Sequence, residues 1–323
     1  MRAISRQLPA LALAAALAAA CAACGSSQPA DDAAASTPSA AGSAAGGTFP
    51  TTIAAPNGAV HIKARPKAII SLSPAVTEML YAIGAGPQVK AVDADSNYPP
   101  QAPRTKLSGL SPNVEAIVAE KPDLVVEYAD TGNLTKRLAA FSIPVLELPA
   151  PSQLSGVYTE FTQLGQATGH PAQARAENAS IRQQIARVVA AAPHHSRPLT
   201  YYYELDQTYY SVTSDTFIGR LLALLGMKSI ADAAKGAASS GGYPQLSAEY
   251  ILTANPDYIL LADTLCCHQS PASVAKRPGW GDLKAVKSGH VIALNDDIAS
   301  RWGPRIVVLL RTVAAALAKS GGQ

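Results

Sequence analysis

Val114-Glu115-Ala116-Ile117-Val118-Ala119-Glu120-Lys121-Pro122-Asp123-Leu124-Val125-Val126-Glu127-Tyr128-Ala129-Asp130-Thr131 is written twice in this chain. The second copy reads Ala248-Glu249-Tyr250-Ile251-Leu252-Thr253-Ala254-Asn255-Pro256-Asp257-Tyr258-Ile259-Leu260-Leu261-Ala262-Asp263-Thr264. In both copies a Glu opens a short apolar helical stretch, a Pro-Asp follows, and a continuous apolar run leads to Ala-Asp-Thr. The proline ends the helix, because it lacks a donor and disfavours helical geometry at the residue before it. The apolar run does not alternate, which is how a strand buried on both faces of a parallel sheet reads. Each copy is therefore a helix–turn–strand unit of an α/β domain, and two copies predict two such domains. Chance similarity of two generic α/β units is the competing explanation.

Outward from the first copy, Ala68–Leu72 reads as a buried strand that runs through Ser73-Pro74 into a helix over Ala75–Ile83, ended by Gly84. The free N–H groups of such a helix face the carboxyl edge of the sheet, where α/β proteins bind ligands. Val89–Val92 is a second strand, followed by the loop Asp95-Ser96-Asn97-Tyr98-Pro99-Pro100. A helix over Leu134–Phe141 and a strand over Val145–Leu148 complete the lobe. Upstream, Asn57-Gly58 is a hairpin signal within Thr48–Lys63. Residues 153–196 contain no strand signal, and Ala172–Ala191 is strongly helix-forming, a stiff connector about 30 Å long. The second lobe begins with Leu199–Leu205 and carries helices over Phe217–Leu225 and Ile306–Lys319, with a strand over Val291–Leu294. The domains are residues 48–152, the connector 153–196, and residues 197–323.

The 323 residues are 15% charged and 48% hydrophobic, a globular composition. The formal charge of +3 falls to about +1 when Arg2 and Arg6 leave with a leader, which excludes an electrostatic nucleic-acid binder. Residues 1–23 read as a secretory signal peptide: two arginines, an Ala/Leu run too short to span a bilayer, and small residues around Cys21 and Cys24. A Cys after small residues resembles a bacterial lipobox, which implies a diacylglyceryl anchor. Both cysteines qualify, and Cys24 is favoured because it leaves an even pair, Cys266 and Cys267. After Cys24, residues 25–47 are almost all Gly, Ser, Ala, Pro and Asp with almost nothing to bury, so 24–47 reads as a flexible tether.

No catalytic pattern is present: there is no Gly-x-Ser-x-Gly, no phosphate-cradling Gly-rich loop and no His-Glu-x-x-His. No enzyme, metal site or cofactor is expected. Cys266-Cys267-His268 supplies too few ligands for a structural zinc site. In an exported protein the two cysteines are candidates for a vicinal disulfide, with inert thiols as the alternative. The aromatics say more. Only 6% of the chain is aromatic, yet Tyr98, Tyr128, Tyr209, Tyr210, Tyr243 and Trp302 all fall at strand ends or in adjoining loops, and Asp297 and Arg301 share a loop with Trp302. Flat apolar faces with a few convergent polar groups suit a cleft for a large planar ligand. Glu115 and Glu249 each follow a candidate N-cap, Asn113 or Ser247, and the helix macrodipole alone could account for them. Equivalent carboxylates on two lobes could equally be knobs for a partner with matched arginines.

From about Arg65 to Leu317 the chain resembles the substrate-binding proteins of ABC importers for iron complexes and vitamin B12. The resemblance rests on Ile70-Ser71-Leu72-Ser73-Pro74-Ala75-Val76-Thr77-Glu78, Ser96-Asn97-Tyr98-Pro99-Pro100, the Glu115 and Glu249 units, and Asp297, Arg301 and Pro304-Arg305. It implies two Rossmann-like lobes joined by a single rigid helix, the class III periplasmic-binding-protein-like architecture. It implies a monomeric, lipid-anchored extracytoplasmic receptor for a cobalamin-like or ferric-chelate ligand, working with an ABC permease and its ATPase. The membrane is met through the lipid anchor only. Ser73, Tyr98, Tyr128, Tyr243, Asp297, Arg301 and Trp302 would bind ligand, and Glu115 and Glu249 would dock on the permease. The vitamin B12 branch is nearest, with two departures: Gly109 and Asp95 stand where that branch has aromatic residues. A haem or ferric siderophore is the alternative cargo, and an exported redox protein built on Cys266 and Cys267 is the rival from another class.

Overall fold

A computed structural model of the protein describes residues 47–320. The predicted leader, the tether up to residue 46, and Cys21 and Cys24 lie outside the described residues.

The described chain opens with an antiparallel hairpin, β1 (Thr51–Ala55) and β2 (Gly58–Ile62). Its loop is Pro56-Asn57, one residue earlier than the Asn57-Gly58 pair suggested, because Ala55 and Gly58 already face each other in the ladder. Gly58 supplies the left-handed turn exit at φ +107°. Asn57 is used elsewhere: its Nδ2 donates to the Val145 carbonyl at 2.9 Å and to Thr135 Oγ1 at 3.2 Å, pinning the hairpin to the first lobe.

That lobe is a five-stranded parallel sheet in the order β5-β4-β3-β6-β7. Its elements in chain order are β3 (Ile69–Ser71), α1 (Pro74–Ala82), β4 (Val89–Asp93), β5 (Arg104–Leu107), α2 (Val114–Ala119), β6 (Leu124–Glu127), α3 (Leu134–Ala139) and β7 (Val145–Glu147). The apolar run of the first repeat is β6, buried at every position. Strand β5 has no sequence signature: Arg-Thr-Lys-Leu sits at the sheet edge with only Leu107 buried.

The connector is two helices, α4 (Leu154–Thr168) and α5 (Pro171–Ala191), separated by Gly169 at φ +79° and His170. The left-handed glycine closes α4, and Pro171 opens α5 at a position that needs no donor. The 21 residues of α5 measure about 31 Å. The second lobe is a four-stranded parallel sheet in the order β11-β10-β8-β9. It runs β8 (Leu199–Glu204), α6 (Phe217–Ala223), β9 (Met227–Ser229), α7 (Ala248–Ala254), β10 (Tyr258–Leu261), α8 (Pro271–Ala275), α9 (Lys284–Lys287), β11 (Val291–Ala293), α10 (Asp296–Ser300) and α11 (Ile306–Ser320).

The largest buried cluster runs without a break from the first sheet (Ile69, Val92, Val126) through α4 and α5 (Phe161, Leu164, Ile181) to the second sheet and α11 (Tyr203, Leu260, Leu310). Two smaller clusters cover the outer faces of the sheets. A shared core resists large hinge motion, since separating the lobes would expose part of it.

The duplicated segment is duplicated in structure. Asn113 caps α2 by accepting the Ala116 N–H at 2.9 Å, and Ser247 caps α7 by accepting the Tyr250 N–H at 3.1 Å. The residues before the two prolines, Lys121 and Asn255, are both left-handed, at φ +51° and +42°, which is how each helix ends. The following aspartates do the same work. Asp123 accepts the backbone N–H groups of Lys67 and Ala68 at the start of β3, at 2.7 and 2.9 Å. Asp257 accepts that of Thr200 at the start of β8, at 2.9 Å. Each Pro-Asp thus ties a strand to the base of its neighbour.

Candidate functional site

Ligands of parallel sheets lie beyond the carboxyl ends of the strands, and there the two lobes meet. Past β4, the loop at Asp95–Tyr98 belongs to the first lobe; past β11, α10 and Arg301–Arg305 belong to the second. Arg301 bridges them. Its Nη1 donates to Glu78 Oε1 on α1 at 3.1 Å and to Asn97 Oδ1 at 2.9 Å. Its Nη2 donates to the Asp95 carbonyl at 3.0 Å and to Asp297 Oδ1 at 2.6 Å. Asn97 Nδ2 returns a bond to Asp297 Oδ2 at 2.8 Å. Arg305 takes the other side of Glu78, with Nε on Oε2 at 2.8 Å and Nη2 on Oε1 at 2.5 Å, and its guanidinium lies 4.2 Å from the Tyr98 ring centre. The Glu78 side chain is fully buried between these two arginines. Charge-assisted bonds of this kind are among the strongest available to side chains, and they are directional.

The structure brings Asp297, Arg301 and Tyr98 together at this seam. Tyr98 and Tyr243 are each 42% exposed, and Tyr128 is half-buried just beyond β6. Ser73 is buried at the start of α1, where its carbonyl accepts the Thr77 N–H at 2.8 Å and its side chain makes no capping bond. Trp302 is turned into the body. Its indole packs on the shared core and Nε1 donates to Glu160 Oε2 on α4 at 2.8 Å. Of the two aromatic departures, Gly109 has a steric cause: a Cβ there would lie 2.2 Å from the Leu72 carbonyl oxygen. No larger residue fits without moving the end of β3.

Glu78, Asn97 and Glu160 were not among the residues singled out as binding. One signal was available for Glu78: it is the lone charge on a helix otherwise composed of Pro, Ala, Val, Thr, Met, Leu and Tyr.

Three buried carboxyls, Glu127 and Asp263 at strand ends and Glu160 within α4, are held towards their protonated forms. Burial pushes Glu127 up to about 8, helped by the charges of Asp130 and Glu147. Burial alone pushes Glu160 up to about 8, against the lowering effect of the Trp302 donor. Burial and the neighbouring Glu204 push Asp263 up to about 7. Glu204 itself is fully buried and gripped by Arg277 through two bonds of 2.6 Å. Cys266 and Cys267 form a disulfide in the loop that follows β10. Among the described residues no group of three or more His, Cys, Asp or Glu side chains is placed to hold a metal ion.

Glu115 and Glu249 sit exposed in the first turns of α2 and α7, on the two lobes. The Glu249 carboxyl is held below its usual range by its own backbone N–H and by Ser247.

Two Rossmann-like lobes, a two-helix connector dominated by α5 and a seam between strand-end loops form a solute-binding body, and the family comparison agrees. Residues 69–298 match the periplasmic binding protein family, and the chain belongs to it. It is 30% identical over 269 residues to YvrC, an uncharacterised ABC transporter substrate-binding lipoprotein of Bacillus subtilis, across 80% of this chain and 82% of that one. It is 32% identical over 280 residues to a cobalamin-binding protein of Halobacterium salinarum, across 83% of this chain and 74% of that one. Among solved structures, the periplasmic vitamin B12-binding protein BtuF of Vibrio cholerae aligns with a TM-score of 0.65 at 23% identity, over 80% of this chain and 98% of that one. That last likeness is one of fold.

Proposed function

We propose that this protein is a lipid-anchored extracytoplasmic receptor that holds a corrinoid between residues 48–152 and 197–323 and delivers it to an ABC permease. The observation that carries the reading is the seam itself. Strand-end loops of both lobes converge on it, Arg301 locks it, and the exposed Tyr98 ring lies against Arg305 beside it. The similarity to a cobalamin-binding protein over most of both chains supports the choice of cargo. The likeness to a substrate-binding lipoprotein supports a lipid anchor, which the even pair Cys266 and Cys267 assigns to Cys24 over Cys21.

In this reading no chemistry is performed on the ligand. Tyr98, Tyr128 and Tyr243 provide apolar faces, Asp297 and Arg301 offer their remaining hydrogen-bonding capacity to polar groups at the ligand's edge, and Ser73 marks the floor. Trp302 shapes the floor from behind through Glu160. The shared core keeps the cleft largely preformed, so little conformational entropy is lost on binding. Glu115 and Glu249 present matched carboxylates to permease arginines, and the ATPase supplies the transport energy.

The test is isothermal titration calorimetry of the full-length protein in mild detergent against cyanocobalamin, a ferric hydroxamate, a ferric catecholate and haemin. Saturable binding of cyanocobalamin in preference to the others is expected. Binding of an iron chelate or haemin instead would keep the role and replace the cargo, and silence from all four would overturn the reading.

A further inference from the structure

The chain continues past β10 into a loop that is held unusually firmly for an exposed segment. Asp296, the first residue of α10, accepts the backbone N–H groups of Thr264 at 2.7 Å, Leu265 at 2.9 and 3.0 Å, and Cys266 at 2.8 Å. It also accepts the Thr264 hydroxyl at 2.9 Å. Those N–H groups hold the Asp296 carboxyl below its usual range, against the effect of burial. The far end of the loop is fixed too. Gln269 N–H donates to the Asp263 carbonyl at 3.3 Å and its Nε2 to the Cys267 carbonyl at 3.2 Å. Gln269 Oε1 accepts from Arg277, which is itself clamped on buried Glu204. Between these anchors the disulfide joins adjacent residues, and His268 turns back in the left-handed region at φ +55°.

The anchored loop leaves Leu265, Cys266 and His268 exposed. Leu265 is 54% exposed and Cys266 is exposed beside it. A Leu that is free to turn away from water costs little, but here the backbone holds it outward. The position is informative as well. Asp296 carries the loop, and the next residue, Asp297, accepts from Asn97 of the first lobe at 2.8 Å. The apex is therefore anchored one residue from the seam. On the opposite side of that seam Gly109 lies against the Leu72 carbonyl with no room for a side chain. A cleft that lacks a ring there must find apolar surface elsewhere.

The geometry points to the Leu265–Cys266–Cys267 ridge as an additional apolar wall of the ligand cleft, one that meets the face of a corrin-type macrocycle and takes its shape from the disulfide. The inference rests on the receptor reading above. A branched aliphatic side chain and two polarizable sulfurs suit a methyl-rich macrocycle face, where contact is by dispersion and water exclusion.

The experiment compares cyanocobalamin affinity of the full-length protein with that of Leu265→Ser, Leu265→Met and the double variant Cys266→Ser with Cys267→Ser, by calorimetry. Thermal melts accompany each variant to establish that it is folded. Leu265→Ser is expected to weaken binding roughly tenfold, the loss expected when a Leu contact of this size is withdrawn. Leu265→Met should restore most of it, and the double serine variant should weaken binding with the fold intact. If the wild type binds and all variants bind equally well, the ridge is not a wall of the cleft. Unchanged affinity with lost uptake in cells would reassign the ridge to the permease and overturn the proposal. No binding by the wild type would remove the receptor reading and the ridge with it, a failure distinct from the first.

Discussion

Arg301 meets Glu78 Oε1 at 3.1 Å, although the two residues lie 223 positions apart in the sequence. Glu78 stands on α1 of the first lobe and Arg301 just beyond α10 of the second, so their contact is a direct bond between lobes. Glu78 also holds Arg305, and its side chain is fully buried. Removing one partner of a buried ionic group leaves the remainder uncompensated, at about 3–5 kcal/mol. Glu78→Ala strands Arg305 and leaves Arg301 with Asp297 as its ionic partner, whereas Arg301→Ala leaves Glu78 paired with Arg305. The first should therefore lower the free energy of unfolding by at least about 3 kcal/mol and the second by clearly less, both read from urea denaturation. A Glu78→Ala protein within about 1 kcal/mol of wild type would mean that solvent enters the seam freely.

On the proposed reading, docking and binding separate at Glu115 and Glu249. Both carboxylates are exposed in the first turn of a capped helix, and the bonds of Glu249 are local, to its own backbone N–H and to Ser247. The double variant Glu115→Ala with Glu249→Ala should bind cyanocobalamin within about twofold of wild type, because exposed charges remote from a ligand contribute little to affinity. Uptake of labelled cobalamin by cells carrying it should be abolished. A sharp loss of affinity in the purified protein would move these residues into the binding site.

The repeated Pro-Asp predicts an asymmetry. Asp123 is exposed and accepts two backbone N–H groups, while Asp257 is almost fully buried and accepts from Thr200, Arg197 and Lys284. Burial alone would push the Asp257 carboxyl up; the bonds from Arg197, Lys284 and Thr200 outweigh it and hold the carboxyl well below its usual range. Its folded value lies under its unfolded one, so its stabilisation is present above about pH 4 and lost as pH falls further. Asp257→Asn should cost about 2–4 kcal/mol at pH 7, and Asp123→Asn about 1 kcal/mol. Equal losses would show that the arginine and lysine add nothing to the strand tie.

Much of this architecture is legible in the sequence because it depends on local rules. The repeat shows in β6 and β10, whose unbroken apolar runs are buried at every position. The caps Asn113 and Ser247 act across three residues, and the prolines act on their immediate predecessors. Strand β5 was not legible, since an edge strand with one buried residue carries no periodic signal. The hairpin turn falls one residue earlier, where Ala55 pairs with Gly58, and the bonds of Asn57 to Val145 and Thr135 are of a kind no local rule anticipates. The seam lay further out of reach. Asp297, Arg301 and Tyr98 could be named as a group, but their assembly around Glu78 depends on the docking of two lobes. The donor bond from Trp302 to Glu160 on α4 is likewise invisible in the sequence, since the two residues lie 142 positions apart.

That bond gives the pH dependence a specific source. Glu160 is buried on α4, and burial raises its carboxyl to about 8, well above the ordinary value near 4.5. Between those two values the folded protein keeps a proton that the unfolded chain releases, so stability must fall as pH rises through this window. The slope for one such proton approaches about 1.4 kcal/mol per pH unit. Glu160→Gln keeps an oxygen for the Trp302 N–H and removes the titration. The variant should melt close to wild type at pH 5 and at a higher temperature than wild type at pH 8. Glu127 and Asp263, which are raised in the same sense, remain in both proteins, so the difference between the two profiles isolates Glu160. Parallel profiles from pH 5 to pH 8 would mean that water or backbone rearrangement relieves the buried charge, and that the Trp302–Glu160 contact opens when the carboxyl ionises.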